Sequence, residues 1–526
     1  MPKTKITPPH TSALRHKIGL IYLPGALPCL ENFGNLPTNL VCADAQIEGK
    51  PASKVLDMLI IPGGSFIEST SINPKVAKEI TKMAESGKYV LGIGSGFQTL
   101  AKETHNKHPT SPQTNKGLGL LDVEFKPLIC TDRISANITD KSFLTQEIGQ
   151  TVRGFHCHTY GQTVLHNDSR AILMTHAKRV NYKKNPQDLL SGVTNKAGNI
   201  AGILIHGIID QNPNILQNIL QSLDIGPLEL KEIQQVNANL IKNLKCEIGI
   251  STGIYQQPPI APLPPKLVLV TALGSSSGKT FIVTGIAGAL KKQGYNVGVI
   301  KVGGDIRDAV SSLYLTKEPL CEYSSIQIGE SGWTPPKQAI TAASRDYNFL
   351  IVEGAMSAFT GLLNENYTRP MSTAEVAVTL GASTVIVAGC DNEGLEGALI
   401  NTLNYIKTLQ TLGVKVCGVI LNKLRLSYIT EQTKQLIHQT FAQVGVELLG
   451  MVPRLDMAAR GMIPEVEIRY DAFGAQALDT VEKNINLVLL SKIASSPQIT
   501  KVDYDALTAK FKNLLTPTPR ATQGGD

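Results

Sequence analysis

Residues 266–290 read KLVLVTALGSSSGKTFIVTGIAGAL, and the fold class follows from how this stretch changes texture. Lys266 to Ala272 is an apolar run of strand length, Leu273 to Gly278 consists mostly of small residues, and Phe281 to Leu290 continues as an apolar helix. A strand that turns into a helix in this way is the local unit of a parallel sheet. The same passage carries chemistry. From Gly274 through Ser275, Ser276, Ser277 and Gly278, small residues let consecutive backbone N–H groups curl around a phosphate. The helix N-terminus adds a favourable dipole, Lys279 reaches the terminal phosphates, and Thr280 can ligate Mg²⁺. Position 273, where such a loop ordinarily starts with glycine, is Leu. The plainer alternative is a Ser/Gly-rich turn before a helix.

Working outward, the rhythm repeats on both sides. Downstream it gives YNVGVIKVGGD at 295–305, YNFLIVEGA at 347–355, STVIVAGCD at 383–391, VCGVILN at 416–422 and VELLGMVPR at 446–454. Upstream it gives KIGLIYL at 17–23, NLVCA at 39–43, MLIIPGG at 58–64, YVLGIGSG at 89–96 and GILIHGIID at 202–210. The chain is therefore expected to be α/β, with two doubly wound domains. Ligands in such sheets gather at the carboxyl ends of strands, so Lys301, Asp305 and Glu353 should converge near the phosphates. That set suits Mg²⁺-assisted phosphoryl transfer, although charged residues after a strand are also commonly just solvated.

Between the two segments, Ile233, Val236, Leu240, Ile241 and Leu244 recur at helical spacing, and the prolines 258, 259, 262, 264 and 265 then make a semi-rigid polyproline linker. The expected organisation is a tail at 1–15, a first domain at 16–225, helix and linker at 226–265, a second domain at 266–495, and a C-terminal helix and tail at 496–526. Fifty Lys plus Arg against 43 Asp plus Glu, a net charge of +7 without a long basic run, gives little support for nucleic acid. No apolar run approaches a membrane span, and the eight cysteines include no C-x-x-C pair, which argues against a disulfide framework or a structural zinc site. A reducing cytoplasm is the expected location.

GSSSGKT, KVGGDIRD, VEGAMSAFTG, STAEVA, GVILN and GMVPR occur in an order and spacing that resemble the ATP-binding domain of the dethiobiotin synthetase and corrinoid amidotransferase group, above all cobyrinic acid a,c-diamide synthase. The resemblance implies ATP and Mg²⁺ as cofactors. It puts Ser275, Lys279 and Thr280 on phosphates or metal, Lys301 and Asp305 at the transferring phosphoryl group, Asp305 and Glu353 with Thr280 on Mg²⁺, and Asn422 against the adenine. In that family ATP phosphorylates a substrate carboxylate and ammonia displaces the phosphate. Gly304, Ile306 and Thr360 depart from the family's proline, tyrosine and aspartate, changes that touch the substrate side more than the ATP side.

The first half carries a second pattern. YVLGI turns through Gly94-Ser95-Gly96 into FQTLAKE, a sharp strand-to-helix elbow of the kind that projects a nucleophile over a sheet. With GLGLLDVEF at 117–125, RGFHCHTYG at 153–161 and GILIHGIID, it resembles the flavodoxin-like class I glutamine amidotransferase domain of the same enzymes, in reversed domain order. Aligned on that elbow, Gly94 stands where the catalytic cysteine belongs and His206 matches the catalytic histidine, here vestigial. Glycine offers no attacking atom, and a Ser95 hydroxyl is far harder to ionise than a thiol. Cys157 reads as a buried small residue. His156, Cys157 and His158 do not read as a ligand set, because neighbouring side chains on a strand point to opposite faces.

The resulting expectation is an ATP- and Mg²⁺-dependent carboxylate-amide ligase acting on a corrinoid or related tetrapyrrole through an acyl phosphate, with ammonia rather than glutamine as donor. A nucleotide-binding regulatory or scaffold protein with a degenerate amidotransferase domain is the alternative. The expected partner is a small-molecule carboxylate, with no nucleic acid and no membrane, and a homodimer is compatible with this reading.

Overall fold

The computed structural model describes residues 14–22, 31–64, 72–105, 114–252, 254, 264–364, 368–455 and 468–516. Most of the polyproline segment and the final tail therefore lie outside the described residues. Among the described residues two compact units emerge, the first built on residues up to 254 and the second on those from 264 on, with 313–320 and 468–475 clustering with the first.

The second unit is built around a seven-stranded sheet whose pairings are all parallel. Its strands run Ser325–Ile326, Val297–Val302, Phe349–Ser357, Lys266–Ala272, Ser383–Gly389, Val416–Leu424 and Glu447–Pro453. Helices cover both faces of such a sheet, which is why the central strands are near-continuous apolar runs and are buried almost end to end. Strand order reverses around Lys266–Ala272. Strands that follow it directly in sequence lie on one side and the last three on the other, a switch point that opens a crevice at its carboxyl end. The phosphate loop leaves from that end.

The first unit is less uniform than its rhythm suggests. A nine-stranded sheet has a parallel half, in the order Ile200–Ile203, Tyr89–Ile93, Met58–Ile61, Ile18–Ile21 and Asn39–Val41. Beyond Ile200–Ile203 it continues antiparallel through Lys183–Asn195, Ser169–Val180, Arg133–Ile138 and Thr151–Phe155. The long hairpin 169–195 is not apparent in the sequence rhythm because its strands are half-exposed and mixed in composition rather than continuously apolar. Pro186 lies in it without harm. Over its outer part the strand pairs on one side only, and Pro186 sits near a register shift. A separate four-stranded sheet joins Gln162–Leu165, Val123–Lys126, Glu103–His105 and Thr114–Lys116.

The helix expected after residue 226 spans Pro227–Thr252 and packs on the first unit. Ile233, Asn237, Leu240 and Leu244 form its buried stripe, and Asn237 Nδ2 donates to the Pro37 carbonyl at 2.8 Å. No helix among the described residues is long and apolar enough to cross a membrane.

Candidate functional site

In the second unit, the loop between Ala272 and the helix Lys279–Lys292 is held by contacts that leave its backbone curled. Ser277 Oγ donates to the Gly274 carbonyl at 3.1 Å, and Asn422 Nδ2, from the strand Val416–Leu424, donates to the Ser277 carbonyl at 2.8 Å. Gly278 has φ +82°, and a Cβ there would run into the Asn422 amide. Gly278→Ala is therefore expected to cost about 1–3 kcal/mol in backbone strain alone, and to abolish nucleotide binding measured by titration calorimetry. Asn422, expected against adenine, spends its amide protons at least in part on the loop.

Beside the loop lies an ionic cluster in which Lys301 and Glu353 are buried and Asp308 is partly exposed. Thr280 Oγ1 donates to Glu353 Oε1 at 2.7 Å, while Lys301 Nζ reaches Glu353 Oε1 at 3.2 Å and Asp308 Oδ2 at 2.5 Å. Burial pulls the Lys301 ammonium down, but Asp308 and Glu353 outweigh it, so the group stays charged with its pKa raised. Lys279 lies near the same cluster with its pKa lowered, first by burial and then by the Lys301 charge. Glu353 is fully buried, and its Oε2 has no hydrogen-bond partner. An unpartnered buried carboxylate oxygen beside a hydroxyl is the hard, all-oxygen donor set that Mg²⁺ takes, so these residues fit that ion. Asp305 is instead gripped by Arg307, Nε to Oδ1 at 2.9 Å and Nη2 to Oδ2 at 3.1 Å. The carboxylate that meets Lys301 is Asp308, which the sequence does not distinguish from Asp305.

In the first unit, three neighbouring parallel strands end together, pairing Ile61 with Gly92 and Ile93 with Ile203. Their extensions bring Gly63, Gly94 and His206 to one point. Gly94 has φ 55° and ψ −115°, the strained conformation of a nucleophile elbow, and it opens the helix Ser95–Leu100. A Cβ at Gly94 would lie 2.8 Å from His206 Cε1 and 2.9 Å from Nε2. On its far side, His206 Nδ1 meets Glu31 Oε1 at 3.2 Å, and Glu31 Oε2 accepts the Gly207 N–H at 3.1 Å, all buried. A carboxylate that accepts a hydrogen bond from Nδ1–H leaves Nε2 as the basic nitrogen, aimed at the elbow apex. Asp210 lies nearby, its pKa raised by burial and then by the Glu31 charge, and it accepts the N–H groups of Asn32 and Gly34, each at 2.7 Å.

Residues 21–214 match the CobB/CobQ-like glutamine amidotransferase domain, and residues 268–463 match the CobQ/CobB/MinD/ParA nucleotide binding domain. The chain carries both of these domains. Among curated relatives, a hydrogenobyrinate a,c-diamide synthase of Mycobacterium bovis is 30% identical over 49% of this chain and 56% of its own length. A cobyric acid synthase of Dehalococcoides mccartyi is 34% identical over 29% of this chain and 31% of its own length. A cobyrinate a,c-diamide synthase of Streptococcus sanguinis is 28% identical over 44% and 50%. The chain thus spans about half, or less, of the curated relatives it matches.

At the elbow of the amidotransferase domain, Gly94 faces His206 and brings no side-chain atom. Ser95 Oγ is buried with no hydrogen-bond partner, so no base stands ready to activate it. Glu31 was not legible in the sequence, since an isolated glutamate 175 residues from its histidine partner belongs to no motif. In the nucleotide binding domain the same holds for the Lys423–Asp391 ion pair at 2.9 Å, beside Asn422. One expectation is corrected. His156 and His158 do share a face, being two residues apart, and Cys130 from the paired segment joins them, whereas Cys157 is not in the cluster. Burial first, and then the neighbouring His206, push the His156 pKa down to about 3, keeping that imidazole neutral.

Proposed function

We propose that the chain is an ATP- and Mg²⁺-dependent carboxylate-amide ligase for a corrinoid or related tetrapyrrole, using ammonia rather than glutamine. One contrast carries the reading: the nucleotide site has its lysines, hydroxyl and buried carboxylate in place, while the amidotransferase elbow has Gly94 facing an oriented His206. In this scheme the backbone of Gly274–Gly278 and Lys279 bind the phosphates, and Lys301 balances charge on the phosphoryl group as it moves to the substrate carboxylate. Thr280 and Glu353 would hold Mg²⁺, which supplies charge neutralisation on the phosphates. Asp308 keeps Lys301 charged, and Asp305 enters as the carboxylate that orients Arg307 at the same strand end. Ammonia attacks the acyl phosphate and phosphate leaves. The names of the relatives support a corrinoid acceptor.

The test is ATP turnover by purified protein against a panel of tetrapyrrole carboxylates, with ammonium salts or with glutamine. Amide product with ammonium alone is expected. Failure of every acceptor to stimulate turnover, with nucleotide still bound, would instead support a nucleotide-binding regulatory or scaffold protein. Glu353→Gln keeps the shape and can still meet Thr280 but removes the charge. Its Mg²⁺-dependent turnover is expected to fall about 10²-fold or more while nucleotide binding persists, read from turnover across a Mg²⁺ titration.

A further inference from the structure

The amidotransferase domain holds another cluster that neither the elbow nor the nucleotide chemistry uses. Cys130, His156 and His158 are all buried, and one donor atom of each lies within 4.8 Å of the others. The backbone places them there. Cys130 N–H donates to the His158 carbonyl and His158 N–H to the Cys130 carbonyl, both at 3.0 Å, so the two residues face one another across an antiparallel bridge. His156, held by its N–H on the Asp132 carbonyl at 2.8 Å, reaches the same face by the pleat. The two imidazole rings have centroids 4.7 Å apart. At Gly161 a Cβ would collide with the His158 ring, so the glycine is what leaves room for that imidazole.

His156 also has a defined tautomer. Its Nε2 lies 3.2 Å from Ser191 Oγ, and that hydroxyl donates its own proton to the Leu189 carbonyl at 3.4 Å. With the hydroxyl proton on that carbonyl, Nε2 carries the ring proton and Nδ1 presents a lone pair. This Nδ1 is buried with no hydrogen-bond partner. A buried acceptor left without a donor is costly, and a core that needed only volume would use an apolar side chain here.

We propose that Cys130 Sγ, His156 Nδ1 and one imidazole nitrogen of His158 bind a single divalent transition metal of the zinc class. A thiolate with two imidazoles selects such ions over Mg²⁺ or Ca²⁺. Ligand bonds of about 2.0–2.3 Å around one ion bring donors close together, and a set lying within 4.8 Å of one another is near enough for side-chain rotation to complete it. On binding, Cys130 gives its thiol proton to solvent and the neutral imidazoles give none. Ser191 is the outer partner that fixes the His156 tautomer, and three protein ligands leave one coordination position open. The site is independent of the ligase reading.

The test uses full-length protein, stripped with chelator and reloaded with Co²⁺. The expected result is about one equivalent bound per chain, with a thiolate-to-cobalt charge-transfer band that Zn²⁺ displaces. Cys130→Ala should lose the band and Cys157→Ala should keep it. Cobalt bound without the band, as the Glu103, His105 and Glu124 group could do, would overturn the proposal, as would a band that survives Cys130→Ala. X-ray absorption at the zinc edge of the wild-type protein needs no variant to fold. One sulfur with two imidazoles supports the site, and a sulfur-free shell or protein that takes up no zinc refutes it.

Discussion

Lys279→Ala is expected to remove nucleotide turnover, by a factor of about 10² to 10³ at least, without unfolding the protein. In the proposed scheme the lysine is the compact charge that the loop presents to the terminal phosphates, and the backbone groups around it cannot replace a full cation. Its cost to the empty fold is visible in the structure. Burial and the neighbouring Lys301 both oppose its ionised form, and its pKa is lowered. Alanine relieves that opposition, so the melting temperature without nucleotide should stay level or rise while the rise on adding Mg-ATP disappears. Thermal unfolding with and without Mg-ATP, beside a turnover assay, separates the outcomes. Undiminished turnover in Lys279→Ala would remove the phosphate site from this loop, and a collapse of the apo melting temperature would make the lysine a structural residue.

Glutamine is expected to yield no ammonia at any ligand concentration, a loss that amounts to the whole glutaminase reaction. Gly94 keeps the elbow conformation, Glu31 orients His206, and His206 Nε2 points to where a side chain would begin. In the proposed reading an oriented base faces an apex that carries no attacking atom, and no covalent intermediate forms without one. Gly94→Cys tests this directly. A residue with a Cβ at φ 55° and ψ −115° carries strain of about 1–3 kcal/mol, and the imidazole must move by a few tenths of an ångström to accept contacts now at 2.8 and 2.9 Å. The variant should therefore melt lower, yet its new thiol should react with an electrophilic glutamine analogue faster than any cysteine of the wild type. Mass spectrometry locates the adduct. A wild-type adduct on Ser95 or Cys157, or ammonia released from glutamine by the unaltered protein, would show an active glutaminase and reverse the assignment of the nitrogen donor.

The sites differ in how much of them the sequence announces. Gly274 to Thr280 is legible because strand, loop, lysine and helix are contiguous, and backbone geometry over so short a stretch depends on the residues within it. Gly94 is legible for the same reason, as a turn flanked by small residues between an apolar strand and a helix. The partner of Lys301 is not. Asp305 and Asp308 both follow the strand, and only the start of the helix at Arg307 turns one toward the lysine and leaves the other with the arginine.

The sequence by itself therefore determined the α/β class, the nucleotide loop, and the absence of a thiol at the elbow, all properties of local pattern and residue identity. Tertiary structure alone decided that Glu31 backs His206 and that Cys130 meets His156 and His158. It also decided that the first sheet turns antiparallel beyond Ile200–Ile203. Those pairings depend on which strands lie side by side and in what register. A shift of one residue would carry every side chain concerned to the opposite face of its sheet, and nothing in a single strand's own sequence specifies the partner that prevents it.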